Sequence, residues 1–226
     1  MSNKEKKLVI VGDGNFAQIA YEYFTYDSPY EVLGFAVESE FRKQDSLFGL
    51  PVIDFEKIES HFSNKSHEVF VATTFVQLNR VRTRLYLAAK EKGYKIASYI
   101  SSKAFCWQNV KLGENIFIFE DNTVQPFVEI GNNVILWSGN HIGHHSIIKD
   151  NCFISSHVVI SGHCEIEESC FIGVNATIAN NIKIAKDCLI GMGAVINKST
   201  EENKVYVGNP AIATSITAKR LFKVKE

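Results

Sequence analysis

Between Val110 and Ser199 the chain divides into sixes without a remainder: VKLGEN, IFIFED, NTVQPF, VEIGNN, VILWSG, NHIGHH, SIIKDN, CFISSH, VVISGH, CEIEES, CFIGVN, ATIANN, IKIAKD, CLIGMG and AVINKS. The third place of every hexad is Leu, Ile or Val, the first is mostly small or β-branched, and the last three are mostly Gly, Asn, Asp, Ser, Glu or His. An apolar, polar, apolar triplet followed by three turn formers is a short strand and a corner, repeated. A helix with 3.6 residues per turn would carry the aliphatic place around its surface. A prism with three flat sides keeps that place inside at every step, eighteen residues to the coil. The pattern predicts a parallel β-helix of about five coils.

Eighteen-residue arithmetic then says which side chains are neighbours, because adjacent strands stand about 4.8 Å apart. Cys152, Cys170 and Cys188 stack on one another, and with Cys164 they occupy the inward first place of their hexads. They read as small buried hydrophobes. Zinc would want Cys and His alternating at short spacings, and no metal is expected. Five of the seven histidines lie in the repeats: His141, His144, His145, His157 and His163. All but His141 occupy turn places, so their rings leave the prism at its corners. His145 falls under His163, His157 under Asn175, and His144 under Gly162, where a bare backbone faces it. Imidazole titrates near neutral pH and is the commonest proton acceptor in group transfer.

Upstream, Lys7 to Val11 is a short apolar run leading into Gly12-Asp13-Gly14-Asn15-Phe16-Ala17 and a helical pattern from Gln18 to Phe24. Gly12, Gly14 and Ala17 fit the G-x-G-x-x-A fingerprint, in which glycines admit a diphosphate to a helix N-terminus. A second strand, Glu31 to Val37, ends at Glu38, placed to hold a ribose hydroxyl. Strands at Pro51 to Ile53, Glu68 to Ala72 and Tyr94 to Ile100, with a helix over Gln77 to Lys92, complete a short parallel sheet, about half of a full dinucleotide fold. The turn could hold a dinucleotide, the diphosphate of a nucleotide-sugar, or nothing at all. Ser101 to Asn109, with Trp107, is expected to join the parts. The boundaries expected are 1–105 for an α/β, Rossmann-like domain and 106–226 for the all-β coil with its closing segment.

Composition excludes other classes. The chain has 226 residues, is 46% hydrophobic and 22% charged, and carries a net charge of −1. With no basic block to follow a phosphate backbone, nucleic acid is not an expected partner. MSNKEKKLVIVG stays apolar for only five residues before Gly12, too few for a signal peptide or a membrane span, so a cytoplasmic protein is expected.

The uninterrupted hexads, the glycine turn before them and the closing Val205-Tyr206-Val207-Gly208-Asn209-Pro210-Ala211 resemble the left-handed β-helix sugar acyltransferases, of the type that includes sialic acid O-acetyltransferases and the N-acetyltransferase of bacillosamine synthesis. The resemblance covers nearly the whole chain. It implies a homotrimer that N-acetylates an amino group of a nucleotide-linked deoxysugar with acetyl-CoA as donor for surface glycan synthesis. O-acetylation of a sugar hydroxyl is the alternative, and a non-catalytic nucleotide-binding scaffold or regulator is the alternative of another class.

The same resemblance assigns roles. His144, in the frame His141-Ile142-Gly143-His144-His145, matches the general base; His145 matches an acidic residue that orients it, and here departs to a second imidazole. Gly162 matches a backbone donor to the oxyanion. Gly12, Gly14, Asn15, Phe16, Glu38 and His141 would bind the sugar nucleotide, although Phe16 stands where His is common in the family and cannot donate a hydrogen bond. Gly173, Gly191, Ala194, Lys198, Gly208, Asn209 and Pro210 would line the path of acetyl-CoA, with Lys204, Lys219 and Arg220 as further cations near its phosphates.

Overall fold

The computed structural model describes residues 4–225. They form two compact units, residues 4–74 with 82–99, and residues 75–81 with 100–225.

In the first unit, β1 (Lys6–Val11) leads through the glycine turn into α1 (Asn15–Tyr26), followed by β2 (Tyr30–Val37), β3 (Ser46–Leu47), β4 (Leu50–Asp54), α2 (Ile58–His61), β5 (Glu68–Val71), α3 (Arg80–Glu91) and β6 (Lys95–Ile96). The sheet order is β3-β4-β2-β1-β5-β6. Every pairing is parallel except the β3–β4 ribbon. Leu8, Val9, Ile10 and Val11 are almost wholly buried on both faces, as a central parallel strand requires. The expected strand over Tyr94 to Ile100 is broken into β6 and the short Tyr99–Ile100.

The second unit is the predicted left-handed coil. Two-residue strands recur every six residues from Phe105–Cys106 to Val195–Ile196, and each pairs in parallel with the strand eighteen residues away. Ser101 to Asn109, read as a joint, is part of the first coil: Phe105 and Trp107 donate backbone N–H groups to Asn122 and Val124. Every sixth residue from Asn115 to Gly193 has φ between 53° and 76°. Asn, Asp and Gly enter that left-handed region at least cost, which is why they crowd the last hexad place.

Inside, the third-place aliphatics form one continuous core with the first-place residues. The cysteines there do more than fill space. Cys152, Cys164 and Cys170 each donate S–H to the carbonyl fifteen residues on, at 3.1 to 3.2 Å, as the Ser146 hydroxyl does at 2.9 Å. Burial pushes the thiols of Cys164, Cys170 and Cys188 up.

The three flat sides differ in what they turn outward. One is apolar, with Phe117, Ile135, Phe153, Phe171 and Leu189 all largely buried. Phe75 lies on Phe153 and Phe171, and Leu78 joins a cluster with Leu189, Val205 and Ala218, so residues 75–81 cover part of it. Arg80 and the buried Asp187 form an ion pair there. A second side is charged: Lys111, Glu129, Ile147, Glu165 and Lys183, with Lys149 and Lys183 reaching Glu165 and Glu167. The third carries no charge at all: Phe105, Thr123, His141, Val159, Thr177 and Val195. The end of the coil is closed by Val205–Gly208, parallel to Leu189–Ile190, and by Ala211–Ala213 folded back antiparallel on it.

Candidate active site

Two corners flank the uncharged side. At the corner where it turns into the charged side, His144, Gly162, Asn180 and Lys198 form a column, one residue per coil, beside a second column of Phe127, His145, His163 and Asn181. Phe127, His145 and His163 stack, with centroids 4.6 and 4.9 Å apart and rings within 24° of parallel. The ring of His144 stands edge-on to His163 and His145. Its backbone N–H donates to Gln125 Oε1 at 2.9 Å, which fixes the corner from below.

The His144 ring is bounded on two sides. Nδ1 lies 3.1 Å from His145 Nδ1, a hydrogen bond that a proton on either nitrogen can make. With that proton on His144, Nε2 carries the free lone pair, and His145 performs the orienting half of a carboxylate's task without its charge. Toward the next coil, a Cβ at Gly162 would stand 2.8 Å from His144 Cε1 and 2.9 Å from Nε2. Glycine at 162 is therefore what gives the imidazole its place. The φ of Gly162 lies outside the left-handed range, so a turn requirement does not explain it.

The expected donation from Gly162 meets a correction. Its N–H is already given to Asn180 Oδ1 at 2.9 Å. Gly162 can turn that hydrogen toward an oxyanion only if Asn180 moves, whereas Asn180, exposed and holding by its oxygen, retains an amide NH2 group. Asn180 was absent from the expected set, although eighteen added to 162 points to it.

The residues expected along acetyl-CoA fall into two places. Lys198 is exposed in the His144 column. Gly173, Gly191 and Gly208 lie instead at the corner where the apolar side turns into the uncharged one, with exposed Asn209 and Pro210 beyond. A Cβ at Gly173 would meet the Met192 backbone at 2.6 Å, and one at Gly191 would meet Val207 at 2.9 Å. Both N–H groups are spent on the ladder, to Ile190 and Tyr206. Ala194 is corrected outright: its side chain is fully buried in the core and its N–H goes to Gly191, because it holds an inward first place. Lys219 faces the buried Asp187 at 3.6 Å. The two corners are separated by the width of the uncharged side, roughly 13 Å at about 3.3 Å per strand residue. His141 lies on that side between them, half-buried.

In the first unit, Gly12 has φ of 115°, and a Cβ there would touch the Ala72 carbonyl at 3.0 Å, so the turn itself demands glycine. Gly14 is different: nothing lies within 4 Å of its missing Cβ. It caps the twelve-residue α1, whose first turn also presents exposed Asn15. Phe16 is corrected. It is 2% exposed and packs edge-on against Phe70, since the second residue of α1 faces the sheet. Glu38 is held by both guanidinium nitrogens of Arg84 at 2.6 and 2.9 Å, a partner that sequence reading missed.

Comparison with known proteins follows the same outline. The family "Bacterial transferase hexapeptide (six repeats)" matches residues 127–162 and 163–198. Comparison with curated protein sequences gives no match. Among solved structures, a histidine-to-asparagine variant of perosamine N-acetyltransferase from Caulobacter crescentus, in complex with CoA and GDP-perosamine, is similar over 95% of this chain and 100% of that one, with TM-score 0.85 and 21% identity. The acetyltransferase domain of PglB from Neisseria gonorrhoeae is similar over 93% and 100%, with TM-score 0.83 and 23% identity. WeeI from Acinetobacter baumannii AYE follows over 92% and 100%, with TM-score 0.72 and 21% identity. Residues 127–198 of the coil thus match bacterial transferase hexapeptide repeats, and the fold over nearly the full length is similar to that of perosamine N-acetyltransferase and of the PglB acetyltransferase domain.

Proposed function

We propose that the protein is an acetyl-CoA-dependent N-acetyltransferase acting on an amino group of a nucleotide-linked deoxysugar, in the cytoplasm, with His144 as general base. The observation that carries the reading is the seat of His144: Nδ1 bridged to His145, and the ring lying over the bare backbone of Gly162. The similarity to an N-acetyltransferase solved with CoA and GDP-perosamine supports the substrate classes. In the reaction, the sugar amine attacks the thioester carbonyl and forms a C–N bond while its proton passes to His144 Nε2. Collapse of the tetrahedral intermediate breaks the C–S bond, and the proton goes to the departing thiolate, leaving CoA and the amide. The Asn180 amide, or the Gly162 N–H once Asn180 turns, is the donor within reach of the oxyanion.

A single chain holds His144 and Lys198 at one corner and the glycines at the other, a whole side away. Copies packed about a threefold axis through their uncharged sides bring the histidine corner of one against the glycine corner of the next. That side carries Phe105 and Val159 at 53% and 38% exposure and no charge that burial would strand. We assign it to a homotrimer contact, with acetyl-CoA between subunits. Gly14, Asn15 and the α1 N-terminus take the diphosphate of the acceptor.

Thiol release from acetyl-CoA, measured with UDP-, dTDP- and GDP-linked amino sugars and their hydroxyl analogues, tests the reading. Acceptor-dependent release with one amino sugar is expected, and none across the panel overturns it. Gly14→Val, for which the fold leaves room, should raise KM for that acceptor at least tenfold while leaving the calorimetric Kd for CoA unchanged. Equal loss of both would move the acceptor away from this turn.

A further inference from the structure

His163 has no part in the chemistry above, yet its ring completes a cluster at the histidine corner. One ring nitrogen each of His144, His145 and His163 lie within 4.8 Å of one another, and all three residues are exposed. We infer that this corner is an inhibitory site for a borderline transition-metal ion, Zn2+ above all, bound by His144, His145 and His163. Zinc takes imidazole nitrogens at about 2.0 to 2.1 Å, so two nitrogens on a tetrahedral ion stand about 3.4 Å apart. His144 and His145 already present Nδ1 atoms 3.1 Å apart. The exposed His163 ring stacks on His145 with the ring of His144 edge-on to it, and a turn about its last side-chain torsion brings a nitrogen in.

The ligand chemistry selects the ion. Three neutral imidazoles with no carboxylate suit Zn2+, Cu2+ or Ni2+ and give Mg2+ or Ca2+ nothing they prefer. Three protein ligands leave a fourth position for water. A bound ion would break the hydrogen bond between His144 and His145 and occupy a lone pair of the base, so acetyl transfer stops while the fold stays intact. The ion is thus a blocker of the reaction, not a participant in it. The inhibitory consequence rests on the assignment of His144 as base; the binding site does not.

The test uses the whole chain, stripped with EDTA and titrated with ZnCl2 against a colorimetric chelator. One Zn2+ per chain is expected, and His163→Asn should weaken it at least tenfold, since even outer partners of a metal ligand are worth about 10- to 100-fold. Asn suits the left-handed backbone at 163, as Asn175 and Asn181 at equivalent places do, so the variant should fold. Acetylated product, followed by mass spectrometry so that released thiol does not confound the assay, should fall with micromolar Zn2+ in the parent, recover with EDTA, and resist Zn2+ in His163→Asn at unchanged basal rate. Binding that is absent, or equal in parent and variant, overturns the site. Binding that is lost in the variant without any Zn2+ effect on product overturns the inhibition. A protein that binds Zn2+ through His163 but acetylates nothing keeps the metal site and sinks the acetyltransferase reading instead.

Discussion

The two corners beside the uncharged side are built from the same hexads and are opposite in content. One carries side chains: His144, His145, His163, Phe127, Asn180 and Lys198. The other is pared down to Gly139, Gly173, Gly191, Gly193 and Gly208, with Met192 at 81% exposure standing over them. One histidine does occur at the barer corner, and like His144 over Gly162 it seats on a glycine: a Cβ on Gly139 would stand 2.6 Å from the His157 ring. The difference teaches that one repeat can set side chains at one corner and bare backbone at the next, and the proposed site draws on both. A shallow hollow on the charged side, among Lys111, Glu129, Ile147 and Lys149, lies away from both.

Removing the side chain that defines the first corner should have the largest effect. His144→Ala is expected to lower kcat about 100- to 10,000-fold, the usual contribution of a positioned base, with Tm unchanged because a corner ring carries little packing. Retention of more than about a tenth of the activity would shift the base to His141 or His145. Next, Gly162→Ala adds a methyl at 2.8 Å from the His144 ring, which must swing away. Displacement on the order of 1 Å costs about 10- to 100-fold in kcat, and circular dichroism should show the coil intact. An unchanged kcat would mean that the ring works from another rotamer.

The division of labour between corners can be broken by mixing chains. Met192→Glu places a carboxylate at the glycine corner proposed for anionic acetyl-CoA and should raise KM for acetyl-CoA. Co-assembled with His144→Ala chains, the two defective proteins form interfaces that take the intact histidine corner from one and the intact glycine corner from the other. Random assembly of a ring makes about a quarter of interfaces whole, so about a quarter of parental activity should return. If the mixture is no more active than its parts, each site lies within one chain.

The charged side sets the lower limit of the comparison. Lys183 first, and then Lys149, hold the Glu167 carboxyl below the usual carboxylate range. A depressed carboxyl stabilises the fold above its unfolded pKa and loses that contribution as pH falls through the folded value. Glu167→Gln should therefore cost about 1 to 2 °C in Tm at pH 7, because exposed pairs contribute little, and nothing once the pH has fallen well below the folded value. A larger loss would give this side a role beyond solvation.

How far the sequence could be read follows from where each constraint comes from. The coil was legible because neighbours in space are eighteen apart in number, so the stack of His145 on His163 and the gap opposite His144 could be found by addition. Asn180 was within reach of the same sum. What addition cannot give is the direction of a hydrogen bond, so the capture of the Gly162 N–H by Asn180 was invisible. The α/β unit was legible only in outline. Gly12 announced its turn, but the burial of Phe16 depends on which face of α1 meets Phe70, and the Arg84 fork on Glu38 joins residues 46 apart with no period to connect them. The helix expected from Gln77 begins at Arg80, because Gln77, Leu78 and Asn79 are left-handed, and residues 75–81 lie on the coil.

The unbroken spacing of the left-handed corners also sets a rule for change in length. An insertion of one residue would turn every later aliphatic out of the core, whereas loss of eighteen removes one storey and leaves all the rest in register. Excision of residues 151–168 would keep each third-place isoleucine buried, yet it would bring Asn180 to the place over His144 that Gly162 now leaves open. Lineages of such a chain can thus grow or shrink by whole storeys at small cost to folding, while the storey that follows His144 is the one they cannot trade.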